Sequence, residues 1–264
     1  MKDELNLEYR YFPHAADTRI AVQQLIQAAD DTVPHLMFCG GFHSSMSGNK
    51  ATEIHKLCQR KSWNYTRFDY RGHGASDGSL DKLTLHDWLD DTLAVLDACQ
   101  GPTLVIGSSM GAWLACLAAL RRPESVSALL LLAAAPDFLQ ELIEPSLGAT
   151  EQWDLQQGKT IELPNNYAEP HPVTQELLES GKSLSLLNSD DIGTLHCPVR
   201  LLHGTGDHDV PYTLSVRLME KLANPKATLT LLNHVDHRVS DAHSIDQIVK
   251  LISELVDQCS SQAI

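Results

Sequence analysis

Short β-rich runs that alternate with helix-length patterns predict an α/β fold with a mostly parallel, doubly wound sheet. Two further observations refine this reading. A Gly-x-Ser-x-Gly turn, Gly107 to Gly111, stands directly between a strand-like and a helix-like run, and the alternation stops between residues 136 and 196. There Pro145, Gly148, Pro164, Pro170 and Pro172 interrupt short helical pieces. The core is therefore expected over residues 1–135 and 197–264, with residues 136–196 forming a small inserted helical cap between two sheet strands.

The elements follow in order from periodicity and punctuation. An opening hairpin is expected over residues 5–12 and 20–27, and the first core strand over 34–39, ending in Gly40-Gly41. A helix over 49–61, a strand over 63–70, a loop rich in Gly, Ser and Asp over 71–81 and an amphipathic helix over 85–99 come next. Thr84 is placed to cap that helix, with Asp87 at the capping-box position. A short buried strand over 103–106 leads through the Gly107 to Gly111 turn into a helix over 112–122, which Pro123 stops. The next strand covers 126–134. After the insertion come a strand over 198–202, a helix over 212–223, a strand over 227–232 and a closing helix over 244–258.

Composition limits the classes of function. The 264 residues are 43% apolar and 20% charged, enough for one large core. A formal net charge of -14 argues against a nucleic-acid backbone as partner, because phosphate binding needs a basic stripe and none is visible. The longest apolar stretch, residues 128–136, is a buried strand and too short to span a bilayer, so no membrane insertion is expected. Residues 1–4 are Met-Lys-Asp-Glu, with neither a signal-peptide apolar run nor an Arg-rich transit pattern following. The six cysteines are scattered without a CxxC pair and read as reduced thiols. Together these features lead to the expectation of a cytoplasmic protein.

The chemistry concentrates at three loops. Ser109, between the glycines of Gly107-Ser108-Ser109-Met110-Gly111, is placed on the sharp strand-to-helix turn that a nucleophile elbow requires. By itself the pattern carries little, since ordinary Gly and Ser usage produces it by chance. A carboxylate arrives after the strand over 198–202, in His203-Gly204-Thr205-Gly206-Asp207-His208-Asp209. Active sites favour that C-terminal edge of open α/β sheets. Asp207 and Asp209 both compete for the role of orienting acid; Asp207 is preferred, at the loop apex, with Asp209 left to cap the following helix. After the last strand, Asn233-His234-Val235-Asp236-His237 offers His237 as base and His234 in reserve, because several residues of loop must pass before a side chain turns back toward the serine. A backbone N–H in Gly40-Gly41-Phe42-His43 and that of Met110 are candidates for an oxyanion hole.

These motifs, with Asp69-Tyr70-Arg71-Gly72-His73-Gly74-Ala75-Ser76 and Asp236-His237-Arg238, occur in the order found in α/β-hydrolases. The chain resembles that superfamily over roughly residues 19–256. It looks most like the small-cap subgroup containing mitochondrial palmitoyl-protein thioesterase, also an acyl-glucuronide esterase, and related bacterial hydrolases. The resemblance implies a serine hydrolase acting on a small-molecule acyl ester or thioester, with Ser109 as nucleophile, Asp207 as acid, His237 as base, and Phe42 and Met110 as oxyanion donors. It disfavours dehalogenase or epoxide hydrolase chemistry, which on this fold uses a carboxylate at the elbow.

Phe138, Leu139, Leu142, Ile143, Trp153 and Tyr167 of the cap are candidates to line an acyl-binding cleft, or equally to fasten the cap to the core. The same triad serves peptidases and C–C bond hydrolases, and a scaffold that binds a ligand without catalysis is the non-enzymatic alternative. His203, His208, His234 and His237 gather near the same edge, but without HExxH or paired Cys/His spacing no metal is expected. No GxGxxG or P-loop is present, and no cofactor is expected.

Overall fold

The computed structural model describes residues 10–14, 18–27, 32–164 and 170–261. Strands β1 (Arg10–His14), β2 (Thr18–Leu25), β3 (His35–Cys39), β4 (Tyr65–Phe68), β5 (Thr103–Ser108), β6 (Val126–Leu132), β9 (Val199–Gly204) and β10 (Ala227–Leu232) form one sheet. Their spatial order is β1-β2-β4-β3-β5-β6-β9-β10. Pairings β1 to β2 and β2 to β4 are antiparallel. All pairings from β4 through β10 are parallel. Such strands are covered on both faces, which is why β3, β5 and β6 read as nearly continuous apolar runs. Helices α1 (Asn49–Lys61) and α8 (Ala242–Ser260) pack on one face. On the other lie α2 (Leu85–Asp97), α3 (Met110–Arg121) and α7 (Thr213–Lys221).

Where boundaries differ from the sequence expectation, a local interaction explains the shift. The expected strand over 63–70 stops at Phe68, because the next residue turns inward: the buried Asp69 carboxylate accepts the N–H groups of Met46 at 2.5 Å and Ala75 at 2.9 Å. Helix α8 begins two residues early because Asp241 caps it, accepting the Ser244 N–H at 3.1 Å. Helix α7 has Tyr212 as its N-cap, three residues past Asp209, and the Tyr212 side chain makes no cap hydrogen bond. At α2 the Asp87 carboxylate accepts from the Thr84 backbone N–H at 2.8 Å, as the capping-box spacing predicts. The expected hairpin appears as β1 against β2, and its residues 5–9 lie outside the described residues.

Between β6 and β9 the chain leaves the sheet and is not purely helical. A π-helical turn, Leu139–Ile143, runs into α4 (Glu144–Ser146) and α5 (Ala149–Gln156). An antiparallel pair, β7 (Ile161–Leu163) with β8 (His171–Val173), then precedes α6 (Gln175–Ser183). Asp137 ties the two ends together: its buried carboxylate accepts the N–H groups of Leu186 at 2.8 Å and Leu187 at 3.0 Å. From the core, the Trp113 indole N–H reaches the Leu184 carbonyl at 2.9 Å. These are buried hydrogen bonds, whose loss leaves unmet polar groups in the interior.

Candidate functional site

The site begins at the turn from β5 into α3. Ser109 has φ 57° and ψ -121°, a conformation that L side chains rarely adopt. Surrounding bonds hold it there, with its N–H on the Leu132 carbonyl at 2.9 Å and its carbonyl accepting from Ala112 at 3.0 Å. The flanking glycines are required by close approach. A Cβ on Gly107 would stand 2.4 Å from the Gly111 carbonyl oxygen, and one on Gly111 2.2 Å from that of Cys39. Since backbone cannot yield as a flexible side chain does, Gly111→Ala is expected to cost about 3 kcal/mol of stability. Urea unfolding checks this; a loss under about 1 kcal/mol, the ordinary size of a point substitution, would show that β3 can shift.

His237, in the loop after β10, approaches Ser109 with Nε2 at 3.0 Å from Oγ. Its Nδ1 lies 2.7 Å from Asp207 Oδ2. The other carboxylate oxygen accepts the N–H groups of Val210 at 2.8 Å and Asp209 at 3.0 Å. Burial alone would raise the pKa of Asp207, but hydrogen bonds from His203 and His237 outweigh it and hold the carboxyl well below its ordinary range. The histidine loop is fastened from outside by α1: Lys50 donates to the Arg238 carbonyl, and the Asn49 amide to that of Ser240 at 3.0 Å. His234 is exposed and takes no part in this contact; its N–H bonds the Thr205 hydroxyl at 2.9 Å.

Met110 opens α3, so its N–H is among those at the helix start that have no acceptor one turn back. Phe42 follows Gly41, whose Cα lies close enough to the elbow that an added Cβ would be 3.2 Å from Ser109 Cβ. The Phe42 ring packs between Trp88 of the core, at 5.4 Å between centroids, and Phe138 and His171 of the inserted segment, at 5.8 and 4.8 Å. A cavity of about 720 Å³ opens over Ser109 and His237. Its apolar wall includes Phe42, Phe138, Leu142, Ile143 and Val210. Its polar wall includes His43 and His171, the latter pulled down to about 4 by burial.

Of the cap residues singled out from sequence, Leu139 is fully buried outside the wall of this cavity, and Phe138, Leu142 and Ile143 line it. Trp153 does not: it is 61% exposed on α5, while Leu155, two residues further along the helix, turns inward. A helix cannot point residues i and i+2 the same way, and apolar character alone did not reveal which side faces in. Tyr167 lies outside the described residues. Among the described residues no group of three or more His, Cys, Asp or Glu is arranged to hold a metal ion. Among them, too, no helix is long and apolar enough to cross a membrane.

Residues 33–251 match the model of the alpha/beta hydrolase family, and the chain belongs to that family. It is a hydrolase. It is 33% identical over 231 residues to the palmitoyl-protein thioesterase ABHD10, mitochondrial, of Rattus norvegicus, which covers 86% of this chain and 77% of that protein. A crystal structure from Agrobacterium vitis S4, described as a hydrolase, superposes with a TM-score of 0.86 at 33% identity, over 95% of this chain and 99% of that one. Alpha/beta hydrolase domain-containing protein 10 from mouse gives a TM-score of 0.84 at 29% identity, with the same two coverages of 95% and 99%. These relatives overturn the cytoplasmic expectation, since the curated thioesterases similar to this chain are mitochondrial by name. Charge and unpaired cysteines suit any reducing compartment, so they could not separate the two.

Sequence reasoning named His203 only as a possible metal ligand and passed over Ser215, Asn49 and Lys50. The usable signal for His203 was its spacing, four residues before Asp207 on the end of a strand. Nothing in the sequence marks Lys50, since its contact depends on the packing of α1 beside a loop 188 residues away.

Proposed function

We propose that the chain cleaves carboxylic esters or thioesters through an acyl-enzyme, with Ser109 as nucleophile, His237 as base and Asp207 as the acid that orients it. The observation that carries this reading is the pair of contacts on one imidazole: Nε2 at 3.0 Å from Ser109 Oγ and Nδ1 at 2.7 Å from an ionised, buried carboxylate. Asp207 fixes the tautomer with the proton on Nδ1, leaving Nε2 free to accept. As Oγ attacks the acyl carbon, its proton passes to Nε2, and the carbonyl oxygen becomes an oxyanion held by the N–H groups of Phe42 and Met110. Collapse expels the alcohol or thiol, which takes the proton from His237. Water, deprotonated by the same nitrogen, then attacks the acyl-serine and releases the acid.

Residues 136–196 act as the cap over this site and select the acyl group. The cavity falls within the range of small-molecule pockets, roughly 300 to 1,000 Å³. Its wall of Phe42, Phe138, Leu142 and Ile143 suits a medium or long acyl chain, in keeping with the palmitoyl group in the names of the relatives. Leu142→Trp is expected to lower kcat/KM about tenfold for long-chain relative to butanoyl p-nitrophenyl esters, as the larger ring takes up room worth one or two methylenes of the acyl chain. Trp153→Ala should leave the chain-length profile unchanged. An equal fall for all esters in the Leu142 variant would place the acyl chain elsewhere.

The deciding experiment is intact-protein mass spectrometry after fluorophosphonate treatment, with His237→Ala as control. One adduct on Ser109, absent from the control, is expected. An adduct of the same yield in both would show that Ser109 is not activated by His237.

A further inference from the structure

Asp207 has a second imidazole partner that the reaction scheme does not use. His203 is fully buried on β9, with Nε2 at 2.9 Å from Asp207 Oδ2 and 3.0 Å from the Val210 carbonyl. A nitrogen facing two acceptors must carry the hydrogen, so Nε2 is the donor and Nδ1 holds the lone pair. The Ser215 hydroxyl of α7, also fully buried, lies 2.7 Å from Nδ1 and supplies the matching donor. A single hydrogen-bonded chain therefore runs from the buried Ser215 through His203, Asp207 and His237 to Ser109.

We infer that His203 is a positioning residue that sets both the direction and the basicity of Asp207; the inference rests on the triad reading above. Two backbone N–H groups hold Oδ1, so Oδ2 is the oxygen left for His237, and His203 is its other donor. This donor stops the carboxylate from twisting about its Cβ–Cγ bond. It also withdraws part of the charge on Oδ2, moderating how strongly Asp207 stabilises the imidazolium of His237. Removing it makes the carboxylate a stronger partner for the protonated base, so kcat/KM falls off at higher pH on its acid side. The other charged or titratable groups facing the site are Lys50 of α1, His43 after β3, His171 of β8, His208 and Asp209 in the acid loop, and Asp236 and Arg238 beside His237. None is changed in the variants below.

The test compares His203→Leu, His203→Gln and Ser215→Ala by the pH profile of kcat/KM on a p-nitrophenyl ester, the low-field proton resonance of His237 Nδ1–H, and thermal melting. His203→Leu is expected to lower kcat/KM about tenfold or more, as a hydrogen bond to a buried charge is lost. Its acidic limb should move to higher pH, and the low-field resonance should shift. His203→Gln, whose amide N–H reaches the region of imidazole Nε2, restores the limb. Ser215→Ala moves it in the same direction as leucine, by less. A folded His203→Leu with the wild-type limb and resonance overturns the inference; if that variant does not fold, an unmoved limb in Ser215→Ala does so. Ser109→Ala measured in parallel separates the two readings, because activity in that control would remove the triad itself.

Discussion

Ser109→Ala is expected to abolish hydrolysis, with kcat reduced about 10⁵- to 10⁶-fold, the scale on which a serine nucleophile acts with its base as a unit. The expectation rests on geometry. Ser109 Oγ is the group that His237 Nε2 meets at 3.0 Å, whereas its neighbour Ser108 is the buried last residue of β5. Alanine keeps the Cβ and the same backbone demand at φ 57°, so the strain of the elbow is unchanged and only one partly solvated hydrogen bond is lost. Melting should therefore stay within about 2 °C of the unsubstituted chain, a shift under 1 kcal/mol for a domain of this size. Ester assays with a trace-contamination control, beside calorimetry, check both halves. Residual activity above one part in a hundred would mean that another group attacks the acyl carbon.

Asp207→Asn is expected to lower kcat about 10⁴-fold without loss of the fold. Both Asp207 oxygens receive donors: His203 and His237 on Oδ2, the N–H groups of Asp209 and Val210 on Oδ1. An asparagine has one oxygen to offer. Keeping it toward the two backbone groups aims its NH₂ at both imidazoles, so His237 must turn its lone pair to Nδ1 and put the proton on Nε2. The base then faces Ser109 already protonated.

The same substitution has a measurable signature in stability against pH. The folded-state pKa of Asp207 lies below that of the unfolded chain, so its contribution is fully present above the ordinary carboxylate pKa and is lost as pH falls through the depressed value. Asparagine removes this one component of acid denaturation. Unfolding followed between pH 5 and 2 should show a shallower loss in the variant, and parallel curves would contradict the ionised, hydrogen-bonded carboxylate.

How much of this was legible beforehand differs from one residue to the next. The elbow was legible because its chemistry is local: a buried strand, two glycines and a helix start lie within twenty residues. The expected order of Ser109, Asp207 and His237 was legible because each follows a strand at the same sheet edge, and parallel strands with crossover helices deliver those ends together. Trp153 was misread because apolar type does not specify facing, and α5, eight residues long, has too few turns to express a clear stripe. The insertion was expected to be helical. Its β7 and β8 strands are three residues each, too short for period-two alternation to show.

By itself, then, the sequence determined the parallel sheet, the placement of the serine turn and the identity of the polar loops, since these follow from periodicity, turn chemistry and chain order. Only the tertiary structure decided which of two histidines meets Ser109 and which of two aspartates meets that histidine, which residues of the inserted segment wall the cavity, and that His203, Ser215 and Lys50 brace the loops of Asp207 and His237. Those outcomes rest on distances of about 3 Å between segments up to 188 residues apart. Such contacts are set by how helices pack against a twisted sheet, a quantity that no window of sequence contains.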